Sequence, residues 1–175
     1  NEKLQICVSP QHKFGTDAWL LANFAHPRKK DICCDLGTGC GIIPLVWQSK
    51  KMGKQITAVD IQPQAIEQMK ITIEKCGLQE KITPLLADLK QLKGKIPFNS
   101  FDVVSCNPPY KAKGAGLISE NESKRMALHE ESCTIEDVCA AAVKLLRFGG
   151  RLCICQRPER LCDVLQGMRR VRLEP

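Results

Sequence analysis

No apolar run in these 175 residues is long enough to cross a bilayer, and the first residues lack the basic-then-apolar order of a secretory signal. The expectation is a cytoplasmic protein. Histidine is scarce: His12, His26 and His129 stand far apart, and none of the eleven cysteines belongs to a C-x-x-C pair. The ligand spacing of a structural zinc site is therefore missing, and no metal is expected. The cysteines fall in apolar surroundings such as Cys33-Cys34 and Cys153-Ile154-Cys155, the pattern of small buried thiols rather than of a disulfide framework. Internal repeats and low-complexity tracts are also lacking.

What is present is the composition of an ordinary globular protein, 43% hydrophobic and 26% charged. The length supports one substantial core and is short for two, so residues 1–175 are taken as a single domain. The formal net charge is +7, gathered in groups: Arg28 to Lys30, Lys50-Lys51, Lys111 with Lys113, Lys124-Arg125, and Arg169-Arg170 with Arg172. A basic surface attracts polyanions, which makes RNA or DNA the favoured class of partner.

Short apolar runs alternate with longer amphipathic ones, the signature of an α/β fold with a mostly parallel, doubly wound sheet. Strands are expected at 32–36, 56–60, 82–87, 101–106 and 151–156. Helices are expected at 43–51, at 63–76 with Pro63 in the first turn, at 134–147 with Thr134 as cap and Gly149-Gly150 as the stop, and at 158–170. Ala65, Ile66, Met69 and Ile73 fall on one face of the second helix. Residues 111–133 are polar, contain glycine and show no period. A connection of that length inside a domain suits a substrate loop.

Two constellations carry chemistry. Asp35-Leu36-Gly37-Thr38-Gly39-Cys40-Gly41 follows the first expected strand and opens a helix, and Asp60 ends the second strand about twenty residues later. A carboxylate there can accept hydrogen bonds from both hydroxyls of a ribose. A dinucleotide or S-adenosylmethionine would satisfy both signals. Asp35 favours the second, because an acid directly before the glycine turn repels a pyrophosphate and tolerates an ammonium or a sulfonium. Asp88, after the third strand, can accept from an adenine amino group, with a loop acid or cap as its simpler role. Thr38, Ile61 and Leu89, adjoining these residues, complete the candidate cofactor set.

The second constellation is Asn107-Pro108-Pro109-Tyr110, at the end of the apolar run Phe101 to Cys106. The lone pair of an adenine exocyclic amine, or of a carboxamide, is delocalised and nearly non-nucleophilic. Acceptors aimed at its N–H groups can hold it out of plane. Asn107 offers a side-chain carbonyl, Pro108 a backbone carbonyl, the paired prolines stiffen the loop, and Tyr110 gives a stacking face. Asn107 also belongs to the cofactor set. Pro109, Tyr110, Lys111, Lys113, Lys124 and Arg125 form the candidate substrate-binding set.

Taken together these motifs resemble the class I S-adenosylmethionine-dependent methyltransferases, in their amino-group methylating branch. With Phe14 to Ala22, Ala127-Leu128-His129-Glu130 and Arg157 to Leu161 included, nearly the whole chain is similar to the bacterial adenine-N6-methyltransferases that modify a valine tRNA beside its anticodon. The resemblance implies a Rossmann-like sheet, S-adenosylmethionine as cofactor and RNA as partner. It also implies that Thr16 and Asp17, in an N-terminal segment over residues 1–30, close over the methionine end of the cofactor. The family's sheet has seven strands, and no residues remain here for the last pair, so a chain cut short at its C-terminus with an open edge beside strand five is expected. Two other readings stand beside this one: methylation of a glutamine side chain in a translation release factor, and a non-catalytic fragment that binds cofactor or RNA. His129 is expected to cap or pack, and Glu130 to be structural or solvated.

Overall fold

The structure, a computed structural model, describes residues 6–7, 15–108 and 133–175. In chain order these form α1 (Thr16–Ala25), β1 (Ile32–Leu36), α2 (Ile42–Ser49), β2 (Gln55–Asp60), α3 (Pro63–Lys75), β3 (Ile82–Leu86), β4 (Phe101–Cys106), α4 (Ile135–Leu145), β5 (Leu146–Ile154), a 3-10 turn (Pro158–Arg160) and α5 (Leu161–Arg170). The five strands make one sheet in the order β3-β2-β1-β4-β5, parallel at every pairing. No helix among the described residues is long and apolar enough to cross a membrane.

Strand alternation divides the core between two faces. Cys33, Ile56, Ala58, Val103 and Cys153 meet α1, α2 and α3 on one side. Cys34, Leu36, Val59, Val104 and Cys106 meet Val138, Ala142 and Leu145 of α4 on the other. A period of two does this automatically, because neighbouring side chains on a strand point to opposite faces. On α1 the buried residues are Ala18, Leu21, Ala22 and Ala25, one stripe of a helix. Trp47 is fully buried, and its indole N–H donates to the Ala22 carbonyl at 2.9 Å, which locks α2 against α1. All eleven cysteines are thiols.

The expected elements are found with small shifts at their ends, except at one junction. The helix expected to run to Arg147 ends at Leu145, and the fifth strand begins at once at Leu146 rather than at Arg151. Gly149-Gly150 does not stop the helix. It lies within β5, where the register shifts: Phe101 pairs with Leu146, whereas Val103 pairs with Arg151. Gly149 takes φ 76°, Phe148 turns fully into solvent, and a Cβ on Gly150 would lie 2.8 Å from the Phe101 carbonyl oxygen. A glycine pair marks either a helix end or a strand irregularity, and here backbone approach required the second. The α4 start is as expected, with Thr134 and Asp137 forming a reciprocal capping box.

Candidate active site

The sheet order reverses between β1 and β4, so the chain leaves these two paired strands toward opposite faces, and a crevice is left at their carboxyl ends, the usual place for a ligand in an open α/β sheet. A cleft of about 350 Å³ opens there. Gly37 and Gly39 line it from the turn after β1, Val59 to Gln62 from the end of β2, Ala87 to Leu89 from beyond β3, and Cys106 to Pro108 from the end of β4, with Cys133 opposite. Of the sequence-derived residues, the fold thus gathers Gly37, Gly39, Asp60, Ile61, Asp88, Leu89, Asn107 and Pro108. Asp35, Thr38, Gly41, Thr16 and Asp17 do not line it. Pro109, Tyr110, Lys111, Lys113, Lys124, Arg125, His129 and Glu130 lie outside the described residues.

The glycine turn is tied down from beneath. Thr38 N–H donates to the Val59 carbonyl at 3.0 Å, and Gly39 N–H to Asp60 Oδ2 at 2.8 Å. Gly37 and Gly39 have φ values of 67° and 56°, which disfavour a side chain, and the space a Cβ would take at either is open. Backbone at the cleft wall is therefore bare to a ligand. Gly41 serves differently: a Cβ there would press on Met69 at 3.0 Å, so this glycine allows α2 to approach α3.

Asp60 is buried, and its Oδ1 accepts from Gln62 N–H at 2.9 Å while Oδ2 holds Gly39. Each carboxylate oxygen can accept two hydrogen bonds, so capacity remains for a diol. Asp88 accepts from Lys90 N–H at 2.9 Å, the simpler loop-acid role expected of it, and it also lines the cleft.

Asp35 lies wholly buried under the turn. Ser105 Oγ donates to its Oδ1 at 2.6 Å, and Oδ2 has no hydrogen-bond partner among the described residues. Burial pushes its pKa up to about 7, against hydrogen bonding from the Ser105 and Thr38 hydroxyls, which lowers it, and the Asp60 charge adds to the rise. A cation in the cleft would stabilise the ionised form, and an anion would oppose it. The donor set fits S-adenosylmethionine on these grounds: bare glycine backbone, spare acceptors on Asp60, and an under-satisfied buried carboxylate. Among the described residues no three His, Cys, Asp or Glu side chains group as metal ligands.

Asn107 follows β4 directly, and its Nδ2 donates to Asp17 Oδ2 at 3.0 Å. Asp17 therefore meets Asn107, a residue that the sequence reading assigns both to the cofactor set and to the handling of the target amine. Val59, Gln62, Ala87, Cys106 and Cys133 escaped sequence reading. The first four adjoin motif residues at strand ends, and adjacency to Asp60, Asp88 and Asn107 was their one available signal. Cys133 reaches the cleft only through the packing of α4.

A protein of Glaesserella parasuis serovar 5 (strain SH0165), named tRNA1(Val) (adenine(37)-N6)-methyltransferase, is 31% identical over 115 residues, which are 66% of this chain and 47% of that protein. A protein of the same name from Histophilus somni (strain 129Pt) is 31% identical over 141 residues, 80% of this chain and 58% of the relative. The chain thus spans about half the length of the curated relatives it matches. Among solved structures, TrmN from Thermus thermophilus superposes with a TM-score of 0.61 at 23% identity, over 90% of this chain and 40% of that one. A ribosomal protein L11 methylase from Lactobacillus delbrueckii subsp. bulgaricus does so with a TM-score of 0.65 at 17% identity, over 96% and 74%. At such identities the structural likeness speaks for the fold. The family described as methyltransferase small domain matches residues 11–168. With that match over most of its length, the chain belongs to the methyltransferase small domain family.

Proposed function

We propose that the chain is an S-adenosylmethionine-dependent methyltransferase that modifies the exocyclic N6 of an adenine in RNA, and that the RNA is a tRNA methylated near its anticodon. One observation carries this reading: Asp60 and Asp88 face the same cleft as Asn107 and Pro108. A nucleoside-binding wall and an N–H-accepting corner within a single crevice are what transfer to an amine requires.

The cofactor supplies a methyl group on a sulfonium: the amine lone pair forms the N–C bond as the S–C bond breaks, its electrons stay on sulfur, and a proton is lost to water. Asp60 accepts from the ribose hydroxyls, Asp88 from the adenine amino group, and Ile61 and Leu89 give apolar contact to the base. Gly37 and Gly39 admit the methionine portion to the backbone over Asp35, with Thr38 and Gly41 shaping the turn. Asn107 Oδ1 and the Pro108 carbonyl accept from the target amine. Pro109 and Tyr110 form the stacking wall, and Lys111, Lys113, Lys124 and Arg125 hold the RNA backbone. An anticodon loop suits this site because an unpaired base is splayed out at little cost.

The test uses methyl-labelled cofactor with unmodified tRNA and, in parallel, a translation release factor, followed by digestion and mass spectrometry. Label on N6 of a tRNA adenine is the expected result; label on a glutamine, or none on either, overturns it. Replacing Asn107 by Ala should lower kcat about 100-fold or more while cofactor affinity changes little, since it removes an acceptor needed only as the amine reacts.

A further inference from the structure

Asn107 can serve an amine only if its carboxamide is the right way round. Presented by Oδ1, it accepts from an N–H. Presented by Nδ2, it repels one. Rotation about the terminal side-chain bond interchanges the two at little cost, so something must fix the choice. Asp17 is placed to do it. Its carboxylate is an acceptor when ionised, and it lies 3.0 Å from Asn107 Nδ2, 90 residues away in sequence. The chemistry of the pair leaves no ambiguity over which end is nitrogen, because two acceptors would not approach so closely.

Gly15 supports the arrangement. A Cβ at that position would lie 2.1 Å from Asp17 Oδ1, so any larger residue would push the carboxylate out of its place. Asp17 itself stands in the first turn of α1, where the helix dipole favours a negative charge. The helix is anchored in turn by its buried stripe and by the Trp47 bond to Ala22.

We propose that Asp17 is a positioning residue for methyl transfer: it holds the Asn107 carboxamide with Oδ1 toward the acceptor, and Gly15 keeps room for it to do so. The inference rests on the proposed amino-group methylation and adds to it the residue that orients Asn107 for that acceptor. It also moves Asp17 from the cofactor to the substrate side.

The test is a double-mutant cycle on the full chain, with kcat, cofactor affinity by calorimetry and the Asn107 side-chain amide by NMR. D17A should lower kcat about 10- to 100-fold with the cofactor dissociation constant within about two-fold, because only the oriented amide is lost. G15A should fall in the same direction. N107D sets two carboxylates against each other and should be inactive. Adding D17N to it should restore activity at least about ten-fold over N107D, since the amide introduced at position 17 then donates to the carboxylate introduced at position 107, whose remaining oxygen still accepts from the amine. In the wild type one Asn107 Nδ2 proton should resonate downfield of its position in D17A. Wild-type kcat in D17A, loss of cofactor affinity instead of kcat, a double variant no better than N107D, or an unchanged amide resonance each overturns the proposal. A wild-type protein that methylates neither tRNA nor glutamine would instead sink the proposed activity, and the amide resonance would still decide the pairing.

Discussion

At the scale of single residues, Asp35 is the most perturbed acid of the site, with its pKa pushed up to about 7 mainly by burial. The folded protein therefore keeps a proton that the unfolded chain gives up near the ordinary carboxylate value. As pH rises from about 4 to 7 the unfolded state binds fewer protons than the folded one, so this group costs stability progressively and the loss is complete above about 7. Asp35→Asn has no such titration. Thermal unfolding of the two proteins across pH 4 to 8 should show the variant gaining on the wild type by up to about 4 kcal/mol over that window. A constant difference would refute the buried, proton-holding Asp35. The same substitution should weaken cofactor binding at neutral pH, which calorimetry would show. Asp60 is also buried, and each of its carboxylate oxygens accepts from a backbone N–H, of Gly39 and of Gln62.

At the scale of elements, the turn after β1 and the irregular start of β5 show glycine used for two purposes. Gly37 and Gly39 leave backbone exposed to a ligand, whereas Gly150 lets β5 lie against the Phe101 carbonyl. Gly150→Ala would set a methyl group 2.8 Å from a backbone oxygen that cannot swing aside. Denaturant unfolding should report a loss of about 1–3 kcal/mol, the ordinary cost of overpacking. A neutral result would mean that β5 does not run through Gly149-Gly150. The consequence reaches the site, because Cys155 N–H bonds the Cys106 carbonyl at 3.2 Å just before Asn107. Sequence periodicity placed both elements at this junction but misjudged the border between them. A helix-ending glycine and a strand-bending glycine look the same until the neighbouring strand is known.

At the scale of the molecule, the reversal of strand order between β1 and β4 creates the crevice, and the basic surplus is available to draw a polyanion toward it. Exposed Arg28, Lys29, Lys30, Lys50 and Lys51 lie on described surface, and Lys50 also sits 5.6 Å from the centre of the Trp19 ring. If tRNA is the partner, its affinity should fall linearly on a log–log plot against salt, with a slope near one unit per phosphate neutralised. Titrations between 50 and 200 mM monovalent salt would show it, at concentrations where counterion release is easily measured. A flat response would argue for a peptide acceptor.

The doubly wound sheet, the glycine turn, the two acids at strand ends and the family were all legible in the chain, because each is written in neighbouring residues or in a period of two or 3.6. Folding had to occur before Ser105 could brace Asp35 across 70 residues, or Asp17 turn Asn107 across 90. Those bonds depend on how α1 and β4 settle against β1 and α2, and a contact between distant polar side chains leaves no periodic trace in the chain.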